Sequence, residues 1–191
     1  MSVLKVNEVS KAFENEKITL NAIFTSALLP HQYEILTRPV SYLNVSWHSN
    51  DGKDHTVKID IAVSEELCLQ KPWQNEVEAE ETPFSNGLKG MRMGNIEQKP
   101  LHESGDDICI DWGYVHLAVN GKSSLVYEDV IDGRGNIHAV AEPNADEGTL
   151  FLFAYDDIES IEYFKKLLKS YWNRNGKTIL EAIKEANEDY E

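Results

Sequence analysis

Alternating apolar and polar positions dominate the first 155 residues of this chain and predict β-strands. In residues 17–26, KITLNAIFTS, the apolar side chains Ile18, Leu20, Ala22 and Phe24 share one face. Strand patterns recur in five later segments, which are 88–98, 108–119, 125–130, 136–142 and 149–156. Clusters of glycine, proline and aspartate separate several of them, as is typical of connections between strands.

Two adjacent runs, residues 40–49 and 55–64, give the strongest local prediction. Each alternates regularly, and Trp47 lies on the apolar face of the first run, so we expect this ring in the core. Asp51-Gly52 lies between the runs and suits the positive φ of a tight turn. The pattern predicts an antiparallel hairpin with one solvated face. By contrast, the acidic stretch within residues 64–87 predicts a loop.

The period changes near the C-terminus from that of a strand to that of a helix. Residues 156–172 carry apolar side chains at helical spacing, namely Ile158, Ile161, Phe164, Leu168 and Tyr171. Thr178 and Glu181 have the T-x-x-E spacing that begins a second helix. We therefore predict a mainly β fold. Residues 1–155 form an antiparallel β-sandwich, with a supersandwich as a variant, and residues 156–191 form a C-terminal helical extension.

Composition narrows the classes of partner. The chain has 191 residues, the size of one domain, and a net charge of −15. Such an acidic chain repels phosphate backbones and anionic lipid, so we predict no nucleic-acid partner. No apolar run approaches the length of a membrane span, and no signal peptide opens the chain. The first residues resemble the middle of a strand pattern, so we expect a longer parent polypeptide.

Two cysteines, Cys68 and Cys109, are too few for a disulfide framework. Each lies within or beside an apolar run, so the default expectation is a buried thiol that packs as a small apolar side chain. A single bridge between the two remains an open alternative.

The segment GDDICIDWGY, residues 105–114, concentrates the candidate chemistry. Asp106 and Asp107 follow a glycine in a turn context. If the strand that follows is regular, Asp111 and Trp112 point to opposite faces and do not form one pocket. Acid–base catalysis would also require a second carboxylate within reach. We therefore favour a solvated or turn-capping role for these acids over a catalytic one.

The other candidate sites are weaker. The stretch from Asp129 to Asn136 resembles a calcium loop but lacks the ligand spacing of one, so we predict a glycine turn. Trp73, in the acidic loop, is the best candidate for a sugar-stacking platform, with Asp111 as a second ligand-binding candidate. No zinc-binding spacing links the six histidines, and we expect surface positions for them: His31, His48, His55, His102, His116 and His138. We predict no metal and no cofactor.

Three segments together resemble a known family: TRPVSYLNVSWHSNDGKDHTVKIDI, GDDICIDWGYVHLAV and LFLFAYDDIESIEYFKKLLKSYW. The chain resembles the N-terminal region of the glutaminase A-like proteins of fungi and gut Bacteroidetes, over residues 15–190. We call the residues that carry this resemblance the signature residues. They are Arg38, Pro39, Tyr42, Asp51, Gly52, Asp106, Asp107, Asp111, Trp112, Gly113, Tyr155, Asp156 and Asp157.

This resemblance implies a β-sandwich that precedes an (α/α) barrel-like domain related to six-hairpin glycosidases. Catalytic residues are expected in that second domain, and none is carried over to this chain. The name of the family implies deamidation of glutamine, whereas the likeness of its second domain to glycosidases implies hydrolysis of glycosides. Proteins of the family are typically exported, so the resemblance also implies a periplasmic or extracellular location.

Three hypotheses about function follow. The first is a non-catalytic domain that packs on the C-terminal catalytic domain of the same polypeptide. In one variant of this hypothesis, it also lines the cleft of that domain. The second is a carbohydrate-binding module that uses Trp73 or residues near Asp111. The third is a hydrolase, or part of a glycoside hydrolase-like site, with Asp106, Asp107 and Asp111 as its acids.

Overall fold

The computed structural model describes residues 7–71, 74–85, 87–131 and 134–190. Within these residues the fold is mainly β, with antiparallel sheets. Strands are numbered along the chain. The larger sheet has the spatial order β1 (Asn7–Glu14), β2 (Ile18–Ser26), β3 (Val40–Ser49), β10 (Thr149–Asp156), β7 (Tyr114–Val119), β6 (Lys89–Asn95) and β5 (Val77–Thr82). The smaller sheet has the order β4 (Ile59–Ser64), β9 (Arg134–Ala141) and β8 (Ser123–Ile131).

A further hairpin and two α-helices accompany these sheets, together with 3-10 helices at Glu65–Cys68 and Tyr171–Asn173. A separate hairpin consists of β11 (Ile161–Tyr163) and β12 (Lys166–Leu168). The helices are α1 (Tyr33–Leu36) and α2 (Ile179–Asp189). Because antiparallel strands dominate and the two main sheets face each other, the predicted β-sandwich class is confirmed.

The first core lies between the two sheets. Alternate residues of β7, Val115, Leu117 and Val119, point to this side because successive strand residues face opposite ways. They meet Ile137 and Ala139 of β9, which are also fully buried. Trp47 is buried as predicted, and its indole nitrogen donates to the carbonyl of Pro143 (3.0 Å). The inter-sheet contacts centre on β6 and β7 of the larger sheet.

The second core lies on the opposite face of the larger sheet, beneath α2. Ile183 and Ala186 of α2 are fully buried against a cluster that includes Leu152 of β10 and Trp172. The fold therefore has three layers, with the larger sheet in the middle. The C-terminal helix packs on the sandwich, and its amphipathic stripe supplies the apolar side chains of this contact.

The predicted hairpin between residues 40–49 and 55–64 is wrong, although both segments contain strands. β3 pairs with β2 and β10 of the larger sheet, whereas β4 pairs with β9 of the smaller one. Gly52 does adopt a positive φ of 69°. The turn therefore sends the chain from one sheet to the other, and long-range partners decide the pairing.

The predicted helix over residues 156–172 is also wrong. Three of its residues, Ile158, Phe164 and Lys165, have positive φ angles, which a right-handed helix excludes. Phe164 and Lys165 form the two-residue turn between β11 and β12. Residues spaced by three and four also occur in a short hairpin, and the isoleucine, tyrosine and phenylalanine here have high β propensity.

Two smaller predictions also need correction. The acidic stretch expected to be a loop contains β5, and the strand expected over residues 108–119 begins only at Tyr114. Cys68 is buried, where burial raises the pKa of its thiol to about 11. Cys109 is exposed, against expectation, and both cysteines are free.

The second predicted helix start is confirmed and gives a stability prediction. The Thr178 hydroxyl accepts from the Glu181 backbone N–H (3.3 Å), and the Glu181 carboxylate accepts from the Thr178 backbone N–H (2.8 Å). Thr178→Ala removes half of this reciprocal cap, so we expect a loss of about 1 kcal/mol in urea unfolding. Thr178→Ser keeps the hydroxyl and should lose less. Equal losses for the two variants would contradict the capping role.

Candidate functional site

The segment of residues 105–114 divides into an exposed turn and a buried end. Asp106 and Asp107 lie in an exposed turn, apart from the buried Asp111 and Trp112. Asp111 is only 4% exposed, so the expectation of a solvated face for this carboxylate is wrong. The irregular backbone before β7 lets both Asp111 and Trp112 point inward, which a regular strand would prevent.

A network of side-chain amides surrounds Asp111. Its Oδ2 accepts from Gln74 Nε2 (3.1 Å), and its backbone carbonyl accepts from Asn95 Nδ2 (3.2 Å). His102 Nδ1 lies 3.7 Å from Asp111 Oδ1, so a protonated imidazole there would face the carboxylate. A buried carboxylate requires such donors, because an unpaired buried charge is strongly unfavourable. This network holds the segment in place through long-range contacts.

Gly113 lies at the tightest point of the site. Its N–H donates to Gln98 Oε1 (2.5 Å), and its carbonyl accepts from Gln98 Nε2 (3.2 Å). Its φ is +87°, and a β-carbon built here would lie 2.2 Å from the carbonyl oxygen of Asp156. Only glycine fits this combination of a positive φ and a close backbone approach.

Hydrogen bonds from the side chains of Trp112 and Tyr155 connect this segment to the end of β10. The Trp112 indole N–H donates to the carbonyl of Asp157 (2.8 Å), and the Tyr155 hydroxyl donates to the carbonyl of Trp112 (2.7 Å). Burial is the main cause that raises the pKa of Tyr155, and it also raises that of Asp156. The Asp156 carboxylate accepts from the backbone N–H of Ile158 (3.1 Å).

The remaining signature residues form two separate contacts. Arg38 is buried, and its guanidinium donates to Asp189 Oδ2 (2.8 Å) and to the Tyr42 hydroxyl (3.0 Å), which ties β3 to α2. The carbonyl of Pro39 accepts from the backbone N–H of Tyr155 (3.3 Å). Burial is the main cause that raises the pKa of Tyr42.

The turn after β3 contains the last of the signature residues, Asp51 and Gly52. The Asp51 carboxylate pairs with His55 Nε2 (2.8 Å) and accepts from Ser49 Oγ (3.1 Å). The contact with His55 is the main cause that lowers the pKa of Asp51. These groups lie beside a groove of about 720 Å³ that Lys53, Lys122, Glu142 and Asn144 also line. The groove is open, its lining is part polar and part apolar, and Trp47, which also lines it, is only 3% exposed.

Sequence reasoning missed the burial of His116. The ring is 2% exposed on the second face of β7, and neither ring nitrogen has a hydrogen-bond partner within the described part of the chain. Burial, followed by the charge of nearby Arg92, lowers the pKa of His116 to about 4. The alternation of β7 places His116 on the face opposite Val115 and Leu117. That placement was the signal available in the sequence. The neighbouring strands β6 and β10, which flank His116 on either side, could not be read from that strand alone.

One other candidate falls outside the described residues, and so does part of another. Trp73 and Asp132 lie there, so the stacking platform and the calcium-like loop receive no structural description. Among the residues that the structure does describe, no group of three or more histidine, cysteine, aspartate or glutamate side chains could hold a metal ion. None of the described helices has the length and apolarity needed to cross a membrane.

One protein-family model matches most of the chain. Residues 10–142 match the model of a domain of unknown function, DUF5127. The chain belongs to this family. The DUF5127 match runs from within β1 to the end of β9 and includes the Asp111 network, but it stops before β10, the central strand of the larger sheet. No curated protein matches the chain.

Proposed function

We propose that this DUF5127 domain is a non-catalytic scaffold that packs on the (α/α) catalytic domain of a glutaminase A-like exported hydrolase. The observation that carries this proposal is an uncovered apolar shoulder on the inner face of the larger sheet. Its residues are Val9, Phe13 and Phe24, which are 65%, 51% and 49% exposed. Exposed clusters of large apolar side chains mark interaction sites in soluble proteins.

The shoulder arises from the unequal widths of the two sheets. Val9 pairs with Phe24 across β1 and β2, and Phe24 pairs with Leu43 of β3, so all three share the face that becomes the first core. The smaller sheet lies over β6 and β7 and leaves the β1 end open. A groove of about 430 Å³ lined by Val9, Phe24 and Phe153 runs along this end. A second domain would complete the covering of this sheet face.

The arrangement of the acids supports a role without turnover. Asp106 and Asp107 are exposed in a turn, whereas Asp111 is buried and its carboxylate accepts from Gln74. Paired catalytic carboxylates must face one substrate across a short gap. The three acids do not share such a cleft, and the neighbouring Trp112 and Gly113 are hydrogen-bonded to other parts of the domain.

The proposal predicts that the isolated chain has no hydrolase activity. We expect no turnover of glutamine or of aryl glycosides by the 191-residue chain, and turnover by the parent polypeptide that carries the catalytic domain. Both proteins are assayed side by side at equal molar concentration. Turnover by the isolated chain would refute the proposal, and Asp111→Asn would then show whether the buried carboxylate contributes.

The shoulder itself is tested by a paired substitution. Phe13→Gln with Phe24→Gln should lower the thermal midpoint of the parent polypeptide more than that of the isolated chain, because the two rings are buried only when the second domain is present. Leu67→Gln is the matched control, since Leu67 is 55% exposed away from these strands. Equal shifts in the parent and in the isolated chain would argue against packing at the shoulder.

A carbohydrate-binding role is the second candidate, and the open groove beside His55 is the observation that favours it. Its lysine, glutamate and asparagine side chains can hydrogen-bond to hydroxyl groups. A glycan array with the 191-residue chain tests this role, with His55→Ala and Trp73→Ala as the informative variants. Binding that survives both substitutions would exclude these two sites as the glycan contact.

A further inference from the structure

The hairpin β11–β12 forms an exposed arm, which we define as residues 161–169. All of these residues are exposed, and the largest values belong to Phe164 (83%), Tyr163 (62%) and Ile161 (58%). The arm contacts the rest of the domain little, and its strands pair only with each other within the described chain. An isolated two-stranded hairpin is marginal in water, so a partner would stabilise this one.

The arm also differs in charge from the rest of the molecule. It carries Lys165, Lys166 and Lys169 against a single acid, Glu162, whereas the whole chain has a net charge of −15. The arm is therefore a basic, apolar element on an acidic protein. Its electrostatic complement is an acidic surface.

The strand β5 provides such a surface at the edge of the larger sheet. Within the described residues, no strand pairs with its outer side. Glu78, Glu80 and Glu81 are exposed on it, while Val77 and Ala79 pack partly against the first core. An unpaired edge offers backbone donors and acceptors to another strand, and like charges prevent two copies of β5 from pairing with each other.

We propose that β12 of one molecule adds as a strand to β5 of a second copy of this chain. In the antiparallel register, Lys166 lies opposite Glu81, Leu168 opposite Ala79, and Lys169 opposite Glu78. Directly opposed residues share a face, so this register forms two ion pairs around one apolar contact. Main-chain hydrogen bonds along the edge supply the remaining affinity.

The faces of the arm favour this antiparallel register over a parallel one. Leu168 pairs with Ile161 across the hairpin, and Tyr163 pairs with Lys166, so these four side chains share one face. Antiparallel addition turns that face toward the side of Ala79 and extends the interior of the sandwich. A parallel alignment that keeps Lys166 and Lys169 opposite Glu78 and Glu81 would instead place Leu167 opposite Ala79. Because Glu162 pairs with Leu167 across the hairpin, it would then face the apolar side.

Charge reversal tests the surface through self-association. We expect sedimentation velocity of the 191-residue chain to show concentration-dependent association. Lys166→Glu with Lys169→Glu should raise the Kd about tenfold or more, and so should Glu78→Lys with Glu81→Lys. The chain that carries all four reversals should associate again, because its charges are complementary in the opposite sense. Reversal of the exposed Lys53 to Glu is the matched control and should leave the Kd unchanged.

Cysteine trapping tests the register. Chains with Cys109→Ser are made with either Ala79→Cys or Leu168→Cys, and the two are mixed under mild oxidation. Opposed strand residues lie at a separation that suits a disulfide, so we expect a mixed disulfide dimer. Moving the second cysteine to Leu167 should reduce its yield, because that position faces the other side of the strand.

Two results would overturn the inference. One is a chain that stays monomeric up to about 1 mM, where an association of about −4 kcal/mol would still be detected. The other is association that persists unchanged in both reversed variants. Neither result bears on the scaffold role, which depends on the shoulder and on the absence of turnover.

Discussion

Gly113→Ala will lower the free energy of unfolding of the domain by about 3–5 kcal/mol. One part of this loss comes from a backbone conformation that alanine disfavours, and the other from steric overlap with neighbouring atoms. The φ of Gly113 is +87°, outside the range that L-residues readily adopt. A methyl group here would also lie 2.2 Å from the carbonyl oxygen of Asp156 and 3.0 Å from the Tyr155 ring. Neither group can yield easily, because Asp156 and Tyr155 belong to the central strand β10.

Urea unfolding at neutral pH measures this loss, and Gly52→Ala provides the matched control. Gly52 also has a positive φ, +69°, but nothing lies within 4 Å of its built β-carbon. We expect a loss of about 1 kcal/mol there, from the backbone term alone. The additional loss of unfolding free energy at Gly113, beyond the loss at Gly52, measures the contribution of the steric overlap. Equal losses at the two glycines would show that the junction between Trp112 and β10 is not rigid.

The local pattern of the sequence was sufficient for the strands that alternate regularly. β2, β3, β9 and β10 lie close to their predicted bounds, and so does the capped start of α2. In each case, side-chain periodicity and a local turn or cap point to the same structure. Where the surroundings do not contradict the local signal, the sequence alone predicts the element.

The pairing of strands required information from distant residues. The turn at Asp51-Gly52 suits a hairpin, yet β3 already has β2 on one side and β10 on the other. A central strand cannot take a third partner, so the chain after β3 leaves the larger sheet. The hairpin at β11–β12 was missed for a related reason, because the spacing of its apolar residues is compatible with a helix as well as with a short exposed hairpin.

The candidate site could be predicted only in part. The sequence correctly suggested that Asp106 and Asp107 lie in a turn, but it could not supply the partners of Asp111. Gln74 and Asn95 come from segments 37 and 16 residues away, and Gln98 clamps Gly113 from 15 residues away. The carboxylate of Asp111 can be buried because Gln74 donates to it, whereas the same carboxylate without a donor would face water.

Stability will fall as the pH is lowered from 7.5, and His116 will account for a defined part of the fall. Its pKa in the folded domain is about 4, against about 6.5 in an unfolded chain. Above pH 6.5 the ring is neutral in both states and full stability is present. As the pH drops from 6.5 toward 4, the unfolded chain binds a proton that the folded domain does not, so stability is lost, up to about 3 kcal/mol.

The surroundings of His116 explain why it resists protonation. In the register of the larger sheet it lies between Arg92 of β6 and Ala154 of β10. Arg92 pairs with Glu80 (2.6 Å) and lies over the Tyr114 ring. Its position is therefore fixed, and its positive charge lies beside the His116 imidazole. Because neither ring nitrogen has a partner within the described residues, an apolar replacement removes an unsatisfied polar group.

His116→Leu should therefore unfold at pH 7.5 with equal or greater stability than the wild type, and its stability should depend less on pH. Between pH 7.5 and 5.5 we expect the wild type to lose about 1.4 kcal/mol more than the variant in urea unfolding. Measurements stop at pH 5.5 because an acidic chain loses net charge and solubility below that range. Acidic groups titrate in both proteins, so the difference between them isolates the imidazole. The control, His48→Leu, replaces an exposed ring on β3 and should follow the wild-type curve. If His116→Leu also follows that curve, the buried ring accepts a proton in the folded state, and its environment is more polar than the contacts of β6, β7 and β10 imply.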